Sequence, residues 1–110
     1  MLTSEQVDEF EQNGFINGGK VISDAALTEL TAALDSVLDK GPDGFSEGEP
    51  QPVSFRSLSG DQEKPVWQIV NIWEATSAFG RLIYTSDVVS GFTQLTWHKD
   101  LMVSIDQIEF

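Results

Sequence analysis

With 110 residues, 40% of them hydrophobic, the chain is long enough for one small globular domain and too short for two independent cores. Eighteen Asp and Glu against six Lys and Arg leave a formal charge of -12. That balance argues against nucleic-acid phosphates and anionic membrane surfaces as partners. Cysteine is absent, which excludes disulfides, thiolate metal sites and cysteine nucleophiles.

The opening "MLTSEQVDEFEQ" has neither a basic leader region nor an apolar stretch, and no segment approaches the roughly 18 apolar residues of a membrane span. A cytoplasmic protein is expected. "TSEQVDEFEQNG" predicts a short helix capped by Thr3 or Ser4 and stopped by Gly14, with Val7 and Phe10 on one face. "GFINGGKVI" reads as two short extended pieces, Phe15-Ile16 and Lys20-Ile22, around a Gly18-Gly19 turn.

"SDAALTELTAALDSVLDKG" is the clearest element, with Ser23 as cap, Asp24 in the first turn and Lys40-Gly41 at the stop. Leu27, Leu30, Leu34, Val37 and Leu38 make an apolar stripe expected to pack in the core. Residues 41–65 are rich in Pro, Gly and acid without periodicity and predict a long loop, with a short apolar piece from Val53 to Leu58 touching the core.

"VWQIVNIWEA" predicts a strand covered on both faces. "SAFGRLIYT" and "SDVVSGFTQLT" predict two short helices, capped by Thr76 or Ser77 and by Ser86-Asp87. "LMVSIDQIEF" alternates from Met102 onward and reads as a final strand. The fold class is therefore α+β: an N-terminal helical layer with a few short strands, all within one domain over residues 1–110.

His98 and Asp100 have the His-x-Asp spacing with which one strand offers two ligands to a metal. The chain holds a single His, so it cannot supply the second imidazole of a two-His, one-carboxylate iron site, nor a zinc site of the three-His or two-His-one-Glu kind. No nucleophile elbow or phosphate loop is present. The ordinary reading of His98 is an exposed turn residue; the alternative is a composite site across two copies. No catalytic, cofactor-binding or metal residue is assigned. The aromatic set Trp67, Trp73, Phe79 and Tyr84 is core in the ordinary reading and a partner-binding surface in the other.

Three stretches taken in order, "LTSEQVDEFEQNGFI", "ISDAALTELTAALDSVLD" and "FRSLSGDQEKPVWQIVNIWEATSAFGRLIYTSDVVSGFTQLT", resemble the N-terminal region of the phytanoyl-CoA dioxygenase family. The resemblance implies iron(II) and 2-oxoglutarate for the full-length family and a double-stranded β-helix as its catalytic core. It also implies that the family's metal-binding His-x-Asp lies later than "QLTWHKDLMVSIDQIEF", so His98 and Asp100 do not take that role. On this reading the chain is a truncated front part of such an oxygenase, without the β-helix, without expected cofactors of its own and without activity alone. The alternative is a non-enzymatic interaction or ligand-binding module derived from that family. The apolar edge of the final strand is expected to invite self-association.

Overall fold

A computed structural model of the protein describes residues 1–110. The elements are α1 (Ser4–Asn13), α2 (Asp24–Lys40), β1 (Ser54–Ser57), β2 (Trp67–Val70), a 3-10 turn (Ile72–Glu74), α3 (Ser77–Ile83), α4 (Ser86–Thr96) and β3 (Gln107–Glu109). The architecture is α+β, and the strands form one antiparallel sheet in the order β1-β2-β3.

Local chemistry sets the helix ends. At α1 the Thr3 hydroxyl accepts from the Gln6 amide while the Gln6 side chain accepts from the Thr3 amide, a reciprocal capping box. Gly14 closes α1 at φ 78, a left-handed conformation that a Cβ would disfavour. Ser23 caps α2 by accepting from Ala26, and Thr76 caps α3 by accepting from Phe79. The expected Ser86-Asp87 cap of α4 is not used. Thr85 holds that position without a side-chain cap bond, because its hydroxyl donates instead to the Arg81 carbonyl at 3.2 Å.

The sheet has two unlike faces. Phe55 pairs with Ile69, and Ile69 with Ile108, so these three side chains share a face. Phe55 also meets Trp67 edge-to-face at 5.2 Å on that side. On the opposite face a polar ladder crosses all three strands: Arg56 donates to Gln68 at 2.9 Å, and Gln68 donates to Glu109 at 3.0 Å. The alternation along each strand thus sends one set of residues inward and the other to solvent.

α2 and α3 cover the apolar face. Val37, Ile69, Ile72 and Phe79 form the buried core, with Leu30, Leu34, Leu38, Leu82 and Ile108 packed around it. Leu27, expected in the α2 stripe, is instead 53% exposed, because the stripe outruns the surface it packs on. α1 lies apart, against α4, where the Leu2 amide donates to the Gln94 side chain at 2.9 Å and the Gln94 side chain donates back to the Leu2 carbonyl at 3.1 Å.

Four further sequence expectations change. The strand expected over "VWQIVNIWEA", covered on both faces, is confined to β2, because Asn71 turns the chain into the 3-10 turn and Gln68 lies on the solvent-facing polar ladder. Phe15-Ile16 and Lys20-Ile22 form no strands; that connection is organised by the Asn17 side chain accepting from Gly19, with no neighbouring strand to pair with. Residues 41–65 are not one loop: β1 lies within them, paired along its length with β2. The first part of that stretch folds back on α2, where Lys40 pairs with Glu49 and sits 4.9 Å over the Phe45 ring. Gly44 passes so close to the Lys40 carbonyl that a Cβ has no room there. Finally, the strand expected from Met102 onward is confined to β3, because only that part reaches β2.

Only five of 110 residues are buried, and the radius of gyration is 16.6 Å. A compact domain of this length has a radius of about 13 Å.

Candidate functional site

The two residues with ligand-like spacing are His98 and Asp100. They follow Trp97, which ends α4 in a left-handed conformation at φ 59, and they lie in an irregular segment. Both are exposed, and neither side chain has a hydrogen-bond partner; the His98 amide donates to the Thr96 hydroxyl at 3.4 Å. No group of three or more His, Asp or Glu residues is placed to hold a metal ion.

The most constrained ionisable group is one the sequence did not mark. Asp106 precedes β3 and closes the β2–β3 ladder with Asn71: the Asn71 amide donates to the Asp106 carbonyl at 3.0 Å, and the Asp106 amide donates to the Asn71 side chain at 3.2 Å. Asn71 leaves β2 at φ 54, a left-handed conformation that Asn tolerates better than most residues, and so directs the chain into the 3-10 turn. Its side chain does not cap that turn.

The Asp106 carboxyl approaches the turn instead. Burial pushes its pKa up; the amides of Ile72, Trp73 and Asn71 pull it down, and nearby Glu74 pushes it up again. The net direction is upward, so desolvation outweighs the amides. One carboxyl oxygen, Oδ1, is buried without a hydrogen-bond partner. The amides therefore act on the carboxyl mainly as dipoles near the start of the turn, and the group serves as an imperfect anionic cap from across the sheet. A single carboxyl with no second acid, base or nucleophile beside it cannot do paired acid–base chemistry.

The concave surfaces are shallow. One depression of ≈ 750 Å³ is bordered by Trp73, Glu74, Thr76, Arg81 and Tyr84. Its cation is already engaged, since Arg81 pairs with Glu29 at 3.0 Å and donates to the Ser77 hydroxyl at 3.3 Å. A second cleft of ≈ 510 Å³ lies between α1 and α4, bordered by Leu2, Val7, Asp8, Glu11, Gln94 and Trp97. Neither brings together the groups of a hydrolytic or metal centre.

The aromatic set does not form one surface. Phe79 is buried, Trp67 is half-buried against Phe55, Trp73 is half-buried, and Tyr84 alone is fully exposed at 77%. The large exposed apolar residues lie elsewhere, with Phe92, Trp97, Leu101, Met102, Val103 and Ile105 following one another along the C-terminal part of the chain. No protein-family model, curated protein or solved structure matches this chain. No helix is long and apolar enough to cross a membrane.

Proposed function

We propose that this chain is the N-terminal layer of an iron(II)- and 2-oxoglutarate-dependent oxygenase of the phytanoyl-CoA dioxygenase type, non-catalytic by itself. The reading rests on the ordered resemblance of the sequence stretches to that family's front region. The observation that carries it is physical. A chain with ample apolar residues buries only five side chains and spreads to a radius of 16.6 Å, as a layer does when the body it lies on is not part of it. Its role is then to brace a catalytic core supplied by another polypeptide segment. The metal and co-substrate would be held by that core.

Thermal unfolding of the purified chain, with and without iron(II) plus 2-oxoglutarate, tests this. A ligand that binds only the folded state at a hundredfold excess over its dissociation constant stabilises by about 2.7 kcal/mol. The proposal expects an unchanged midpoint. A clear rise would place a metal site within this chain and overturn it. The second reading, a non-enzymatic interaction module, is favoured by one observation, the run of exposed apolar side chains from Leu101 to Ile105.

A further inference from the structure

β3 is an edge strand, since the sheet order is β1-β2-β3. Asp106 and Phe110 turn their main-chain groups toward β2, where they bond Asn71 and Trp67. By strand alternation Gln107 and Glu109 present theirs to the open edge. Upstream, residues 99–105 make no hydrogen bond within the chain, and they carry Leu101, Met102, Val103 and Ile105 at 43%, 95%, 45% and 60% exposure. An irregular, apolar stretch with unpaired amides, continuous with an open sheet edge and bent at Lys99, is free to straighten against another strand.

The charges choose the occupant. Two copies of this stretch pairing antiparallel about Val103 would set Asp100 opposite the partner copy's Asp106 at both ends, which is repulsive. A shift of the two-fold centre to Ser104 removes that clash. It sets Lys99 opposite Glu109 of the other copy at both ends, and Val103 opposite Ile105 twice in the middle. Lys99 is one of only six basic residues in a chain of charge -12. Glu109 already accepts from Gln68 and Gln107, both through Oε1, leaving Oε2 for a cation. We infer that this edge is a self-pairing surface: two copies join antiparallel over residues 99–109, centred on Ser104, and their sheets merge into one. The inference does not rest on the oxygenase reading, because it concerns the sheet edge alone.

Sedimentation of the full chain across micromolar to millimolar concentration is the test, with charge variants as the discriminating arm. The wild-type chain should show a reversible monomer–dimer equilibrium, and hydrogen exchange should show protection of the edge-facing amides of Leu101, Val103, Ile105, Gln107 and Glu109 rising with concentration. Lys99→Glu and Glu109→Lys each place like charges opposite one another at both ends and should each weaken the dimer about tenfold. The double exchange K99E/E109K restores the complementary pairs and should recover most of that loss. Both residues are exposed, but Glu109 also accepts from Gln68 within the sheet, so the melting midpoint of each variant as a monomer serves as the folding control. A monomer at every concentration, a dimer without protection of those amides, or a double variant as weak as either single one would each overturn the inference.

Discussion

Ile69 sits at the centre of the sheet, completely buried, paired with Phe55 on one side and Ile108 on the other, in a core of four apolar side chains. Ile69→Ala removes the equivalent of about three methylenes, roughly 2.4 kcal/mol at ~0.8 kcal/mol each. The cavity left behind raises the cost to about 3–4 kcal/mol, because two flanking strands hold the site open. A small domain has about 5–15 kcal/mol in total, and a core this sparse puts the chain at the low end. The midpoint should fall by about 12–24 °C for a loss of ~3 kcal/mol. Leu27→Ala, at a half-exposed helical position, should change stability by less than about 0.5 kcal/mol. Urea unfolding followed by circular dichroism measures both variants. A loss below about 1 kcal/mol for Ile69→Ala, or equal losses for the two variants, would refute the assignment of the core.

Asp106 carries a testable sign. Its carboxyl has a raised folded pKa, so the folded state holds the proton more tightly than the unfolded state. Stability from this group falls as pH rises from the unfolded value through the folded one, and it stays reduced above that window. Asp106→Asn, which keeps an oxygen facing the amides of the 3-10 turn, should raise the midpoint at pH 7 and leave little difference from wild type at pH 3; thermal melts at the two pH values measure it. Gln94→Ala removes both bonds to Leu2, and amide exchange should accelerate in α1 by about tenfold while α2 stays protected. Trp97 sits at φ 59 and is 76% exposed, so Trp97→Gly should relieve about 1 kcal/mol of backbone strain and raise the melting midpoint.

What the sequence made legible was what its neighbours along the chain determine. The caps at Thr3, Ser23 and Thr76 and the stops at Gly14 and Gly41 depend on contacts within four residues, and each was readable. β1 was hidden inside an acidic, Pro-rich stretch because its identity comes from pairing with β2 rather than from its own alternation. The final strand was read too long for the converse reason: alternation from Met102 describes what a strand could pair, and β2 ends before most of it. His98 and Asp100 had a ligand-like spacing, but spacing on a solvent-facing segment brings no third group near. Asp106 gave no signal, because Asn71 and the turn after it lie 35 residues upstream.

If this chain is, as proposed above, a layer whose stability is completed by a separate oxygenase core, it should bind such a core. The most direct measurement mixes it with the purified double-stranded β-helix core of a phytanoyl-CoA dioxygenase family enzyme from which the equivalent N-terminal layer has been removed. Calorimetry and thermal melting then follow the pair. The expected result is association with one chain per core and a higher melting midpoint for both partners. Absence of association, with the chain melting cooperatively and unchanged beside the core, would contradict it.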